Sequence, residues 1–185
     1  MSLLDKDNRF NLANLITFGN IACGVIAIYF IVKGDFLTAI VLAWIAGGLD
    51  IADGKVARRF HLSTDFGIQL DSFADFLSFV VMPSFLLFYA LQKGMTNGMQ
   101  EIVAGVVFVF YIISGLRRLV EFNLKADVGG VTKFFEGVPT PLGAIFLWVL
   151  YLLYSYEVIE NIYIITVCVI MIAWSLNSKL KIPHP

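Results

Sequence analysis

Charge is what this chain has least of. Aspartate, glutamate, lysine and arginine supply 15% of its 185 residues, whereas a soluble domain carries about 25%. Apolar residues reach 59% and the mean hydropathy is +0.84. The excess runs the whole length, so an N-terminal signal segment does not account for it. This balance excludes an ordinary soluble domain and predicts an integral membrane protein with a single helical domain. Neither sign of charge dominates: the formal net charge of −1 gives no footing for nucleic-acid binding. Histidine is scarce as well. His61 and His184 lie in a polar turn and a tail, so no Ser–His or Cys–His pairing for covalent catalysis is apparent. The two cysteines, Cys23 and Cys168, fall in apolar runs and read as packing residues, not as a disulfide or a metal pair.

What the chain does have is helix-length apolar sequence. A bilayer core about 30 Å thick takes about 20 such residues. The pattern predicts an all-α fold of six transmembrane helices: Leu15 to Val32, Phe36 to Arg58, Gly67 to Leu91, Glu101 to Phe122, Pro141 to Tyr154 and Ile159 to Leu176. Residues 15–178 then make the six-helix bundle, and residues 179–185 a cytoplasmic tail. Residues 1–14 mix apolar and charged side chains, as a short interfacial amphipathic helix would, or a solvated tail with one helical turn. No internal repeat or low-complexity tract interrupts this plan.

Basic residues give an orientation. Lys6, Arg9, Lys55, Arg58, Arg59, Arg117, Arg118, Lys125, Lys133, Lys179 and Lys181 lie in the termini or the connections after the second and fourth spans. The other three connections hold just Lys33 and Lys93. Such asymmetry places both termini in the cytoplasm, in a multi-pass protein of the cytoplasmic (inner) membrane.

Against this background the stretch "LDIADGKVARRFHLSTDFGIQLDSFADF", Leu49 to Phe76, stands out for its carboxylates. Asp50 and Asp53 are three apart, and Asp71 and Asp75 four apart, so each pair shares a helix face. A short polar turn from Arg59 to Gly67 makes the two helices antiparallel neighbours, which lets the pairs converge near the cytoplasmic end. A carboxylate within a membrane helix costs about 2.5–3.5 kcal/mol, so four unpaired would cost about 10 kcal/mol. Two things can offset that. Lys55, Arg58 and Arg59 are close in sequence, with Asp65 expected to cap the helix after the turn and pair with them. Alternatively, hard divalent cations take oxygen ligands, and four carboxylates can hold two ions suited to phosphoryl displacement. Gly54, beside Asp53, lets a bulky ligand approach the backbone.

The fixed positions read Asp50-x-x-Asp53-Gly54-x-x-Ala57-Arg58, then Gly67-x-x-x-Asp71-x-x-x-Asp75 after eight residues. This resembles the signature of the CDP-alcohol phosphotransferase family. The resemblance implies six transmembrane helices, a homodimer, and displacement of CMP from a CDP-linked lipid by an alcohol, with two Mg²⁺ or Mn²⁺ ions. It makes Asp50, Asp53 and Asp71 the principal metal ligands, with Asp71 shared. Asp75 becomes the base and a further contact to the second ion. Gly54, Ala57 and Arg58 would serve the CDP-lipid, with Gly67 packing beside it. Thr17 and Asn20, polar residues in the first span, are candidates to reach cytidine or phosphate, or to bond between helices.

The alcohol is a separate question. "NLANLITFGNIACGVIAI", "RRLVEFN" and "FFEGVPTP" resemble the phosphatidylserine synthase branch of the family. That implies CDP-diacylglycerol and L-serine as substrates. Serine is a zwitterion, so Arg118 or Lys133 is expected to hold its carboxylate and Glu121 or Glu136 its ammonium. Backbone N–H groups near Gly137 and Thr140 are further candidates, beside Pro139, which equally suits helix initiation. The same chemistry on glycerol 3-phosphate or inositol, or with an archaeal ether-lipid donor, is the nearest rival. A divalent-cation transporter is the rival of another class, but the carboxylates cluster at one end of their helices instead of lining a path.

Overall fold

In a computed structural model, residues 3–6, 8–126, 134–178 and 181–183 are described. Its contacts gather into two units, Met1–Ser78 and Phe79–Pro185.

The first unit holds helices α1 (Leu12–Lys33), α2 (Phe36–Arg59) and α3 (Asp65–Asp75). Two residues join α1 to α2. Gly34, at φ 79°, ends α1 in the left-handed conformation, and Asp35 N–H donates to the Phe30 carbonyl at 3.0 Å. Asp35 then caps α2 through Thr38 N–H. The buried face of α1 runs through Ala13, Asn14, Thr17, Asn20, Gly24, Ala27 and Ile31, and that of α2 through Ala39, Ala43, Ala46 and Asp53. Small residues mark the inner faces, because close backbone approach, not expulsion of apolar groups from water, holds membrane helices together. Large side chains such as Tyr29, Leu37, Val41 and Trp44 point outward.

The turn between α2 and α3 is held locally. Leu62 N–H reaches back to the Ala57 carbonyl at 2.9 Å, with His61 at φ 55° between them and the Leu62 side chain buried. Thr64 caps α3, its hydroxyl accepting from Gly67 N–H at 3.0 Å. The expected cap, Asp65, is instead the first residue of the helix; Thr64 is extended and so offers its oxygen to the free amides.

Residues 65–92 form one apolar run of 28 residues, in which a π-helical segment, Phe76–Val81, separates α3 from α4 (Met82–Gln92). Pro83 near the start of α4 cannot donate a backbone hydrogen bond, which suits a helix resuming after such a turn. The second unit adds α5 (Gly98–Ala126), α6 (Thr140–Ser155) and α7 (Ile162–Leu176). Two three-residue strands, β1 (Phe134–Glu136) and β2 (Lys181–Pro183), pair antiparallel.

Among the described residues, four stretches are long and apolar enough to cross a membrane: Leu12–Lys33, Phe36–Arg59, Asp65–Gln92 and Gly98–Leu124. The expected fifth and sixth spans are apolar helices of 16 and 15 residues, shorter than the usual requirement. The sixth begins at Ile162 and not at Ile159, because Asn161 caps it. The interfacial helix expected before the first span is not formed among the described residues. Those residues make turns instead, with Leu12 N–H bonded to the Leu3 carbonyl at 2.8 Å and Asn11 capping α1. Cys23 and Cys168 are free thiols, each half-buried.

Candidate active site

Two helices and one turn bring the carboxylates of the first unit together. Oxygen atoms of Asp50 and Asp53 on α2 and Asp71 on α3 lie within 4.8 Å of one another. Asp75 lies one turn beyond Asp71, and its Oδ1 is buried without a hydrogen-bond partner. Asp53 is 4% exposed. Its Oδ2 accepts from Thr17 Oγ1 on α1 at 2.6 Å.

Among the described residues, none of these aspartates forms an ion pair; the salt bridge present joins Arg117 to Glu121 at 2.9 Å. Lys55, Arg58 and Arg59 therefore do not neutralise the row. Carboxylates this close repel one another unless protons or cations lie among them. The donor set is all oxygen and anionic, which suits Mg²⁺, Mn²⁺ or Ca²⁺ and disfavours softer metals. The orphaned Asp75 oxygen fits the same conclusion: this cluster can hold a metal ion.

Beside the row opens a cleft of about 200 Å³, lined by Thr17, Asp53, Gly54, Ala57, Arg58, Gly67 and Asp71 among others. Five residues expected at a CDP-lipid site, Thr17, Gly54, Ala57, Arg58 and Gly67, thus share one wall system. The Arg58 guanidinium folds back over Gly54, so a Cβ there would sit 3.4 Å from Nη1. At Gly67 a Cβ would stand 3.0 Å from Asn14 Oδ1 and 3.3 Å from Thr64 Oγ1. Its smallness admits a polar wall that sequence reasoning missed: Asn14, Ser63 and Thr64 also line the cleft. The hydrogen bond from Asn14 Nδ2 to the Arg9 carbonyl ties that wall to the N-terminal segment. A polar residue on the inner stripe of α1 was the available signal.

Asn20 sits elsewhere. It is fully buried, outside the cleft lining, and its Oδ1 accepts from Ser78 Oγ at 2.6 Å. The bond it makes in this arrangement is one between helical segments.

The residues expected to hold serine belong to the second unit. Arg118 is 7% exposed, and its Nε donates to the Val138 carbonyl at 3.4 Å. Glu121 pairs with Arg117 on the exposed face of α5. Gly137, at φ 83°, has no room for a Cβ, which would meet the Leu176 and Ser178 carbonyls. Its glycine is explained by backbone fit. Pro139 occupies the N-cap position of α6 without a side-chain cap bond, and Thr140 is the helix's buried first residue. Lys133 lies outside the described residues, as does the side chain of Glu136.

Residues 10–177 match the family described as CDP-alcohol phosphatidyltransferase. The chain is 28% identical over 170 residues to a CDP-diacylglycerol–serine O-phosphatidyltransferase of Bacillus subtilis, covering 92% of this chain and 88% of that one. A protein of the same name from Methanocaldococcus jannaschii is 29% identical over 173 residues, or 93% and 73% of the two chains. Another, from Helicobacter pylori, is 30% identical over 132 residues, and the match spans about half of it, 53%.

Proposed function

Since this chain belongs to the CDP-alcohol phosphatidyltransferase family, we propose that it transfers the phosphatidyl group of CDP-diacylglycerol to the hydroxyl of L-serine, giving phosphatidylserine and CMP. The observation that carries the chemistry is the meeting of Asp50, Asp53 and Asp71 beside a cleft bearing Gly54 and Arg58. The choice of serine rests on the names of the relatives.

In this reading Asp50, Asp53 and Asp71, with Asp75, would hold two divalent cations, Mg²⁺ or Mn²⁺. Such ions, when bound, neutralise charge on the phosphoryl oxygens. Arg58 presents its planar fork of donors to the diphosphate. Gly54 and Ala57 leave the cleft open to the nucleotide. Asp75, with a free buried oxygen, accepts the proton of the serine hydroxyl. The serine oxygen attacks the phosphorus that carries the diacylglycerol. The bond from that phosphorus to the CMP oxygen breaks, and CMP leaves with the electron pair. No covalent enzyme intermediate is needed.

In the second unit, buried Arg118 is the candidate for the serine carboxylate, with Lys133 the alternative. For Glu121 to hold the ammonium it would exchange Arg117, an exposed pairing worth under about 1 kcal/mol. We read α6 and α7 as membrane spans as well, which gives six. A 16-residue helix covers about 24 Å, close enough for a locally thinned bilayer. Lysine and arginine placement puts both termini and the aspartates on the cytoplasmic side of the inner membrane. The working form is a homodimer.

The test is CMP release from CDP-diacylglycerol by purified protein with Mn²⁺ or Mg²⁺. L-serine, glycerol 3-phosphate, inositol and water serve as acceptors, with Asp71→Asn as control. Release with serine alone, lost in the variant, is the expected result. Release with another alcohol keeps the metal site and overturns the acceptor. No release from folded protein that still binds divalent metal overturns the enzyme reading in favour of transport or binding.

A further inference from the structure

The signature of eight residues lies entirely on α2, α3 and the turn between them, yet its carboxylates are not held by those helices alone. Mid-helix backbone amides are already used by the helix itself, so Asp53 finds its side-chain donor on another helix. Thr17, 3% exposed, sits on the inner stripe of α1 and donates to Asp53 Oδ2 at 2.6 Å. The Ala13 carbonyl, one turn back, lies 3.1 Å from the same hydroxyl. A hydroxyl has one proton, and the shorter contact to a carboxylate takes it. The backbone carbonyl instead limits which rotamers the threonine adopts.

We propose that Thr17 is the positioning residue for Asp53, engaging Oδ2 and so leaving Oδ1 as the oxygen for a metal ion. This rests on the metal reading of the site given above. It assigns Thr17 a place outside the signature: the residue acts through a ligand, not by reading the nucleotide. The geometry is specific to threonine's hydroxyl. Valine has the same shape and leaves a buried carboxylate oxygen without its donor. Serine keeps the donor and loses a methyl group.

Partners of metal ligands typically cost 10–100-fold in metal affinity or activity when removed. The experiment is a Mn²⁺ titration of purified protein in detergent, without substrate, with free Mn²⁺ followed by electron paramagnetic resonance. Wild type, Thr17→Val and Thr17→Ser are compared, with folding checked by monodispersity and thermal melting. Thr17→Val should bind Mn²⁺ about tenfold more weakly or worse, while Thr17→Ser stays within a few-fold of wild type. At saturating Mn²⁺ the KM for CDP-diacylglycerol should be unchanged in both. Wild-type Mn²⁺ affinity in Thr17→Val overturns the proposal. So does a raised KM with metal binding intact, which would make Thr17 a nucleotide contact, or an equal loss in Thr17→Ser. If the valine variant does not fold, Thr17→Ala against Thr17→Ser carries the same reading. Failure of the wild type itself to bind Mn²⁺ overturns the metal reading of the site instead, and this assignment with it.

Discussion

Asp35 and Asp53 belong to the same helix and have opposite fates. Asp35 caps the start of α2, where the first amides have no intrahelical acceptor, and it accepts from Thr38 N–H at 3.1 Å and Thr38 Oγ1 at 2.7 Å. Those two bonds, the hydroxyl's first, hold its carboxyl below the usual carboxylate range. Asp53 stands eighteen positions on, where every nearby amide is committed to the helix, and it is buried beside two more carboxylates. One acid is satisfied by its own helix. The other takes its donor from a different helix, in a cluster that can hold a metal ion. Location along a helix, more than residue type, decides whether an aspartate is structural or chemical.

That contrast can be pushed hardest at Asp71, the α3 member of the row. Asp71→Asn should abolish measurable Mn²⁺ binding and lower CMP release by about a thousandfold, since a metal-assisted step draws several kcal/mol from the ions and each 1.36 kcal/mol is tenfold. Metal binding by electron paramagnetic resonance and CMP release are measured together; retained binding would detach Asp71 from the ligand set. Asp75→Asn is expected to separate the two readouts. CMP release falls about a hundredfold or more, the usual worth of a general base, while Mn²⁺ binding stays measurable. Parallel loss of both would make Asp75 a ligand first.

A substitution in the second unit sharpens the comparison from the other side. Gly137→Ala forces a side chain onto a left-handed backbone against two carbonyl oxygens. It should destabilise by about 2 kcal/mol or more, seen as a lower melting temperature in detergent. Mn²⁺ affinity in the protein that remains folded should not change. Asp35→Ala is the smallest expected effect: a slight drop in melting temperature at neutral pH with full CMP release. The sign with pH follows from the lowered pKa. Asp35 contributes above its unfolded pKa and loses that contribution as pH falls through its folded one. The gap between wild type and Asp35→Ala should therefore close in acid. A gap that widened there would contradict the cap.

Much of the site was legible because helix periodicity is local. Spacings of three and four put each aspartate pair on one face, and a turn of nine residues required antiparallel helices, so convergence followed from Asp50 to Asp75. Less legible was which neighbour each side chain would choose. Asn20 and Thr17 lie three apart on the same stripe of α1, yet Thr17 meets Asp53 while Asn20 meets Ser78 in the π-helical turn. Helix period gives a face; the partner on that face depends on the depth at which α1 packs. The cap of α3 was misplaced by one residue because Thr64 and Asp65 are both good caps by type, and backbone conformation chose between them.

The order of residues carries the helices and their faces: composition sets the cost of leaving an apolar surrounding, and spacing sets which residues look the same way. Tertiary structure decided what those faces meet. Thr17 over Asp53, Asn14 against Gly67 and Gly137 under two carbonyls are contacts between residues far apart in the chain or turned by it. Their distances arise from helix packing and backbone angles, which no local pattern of residues fixes.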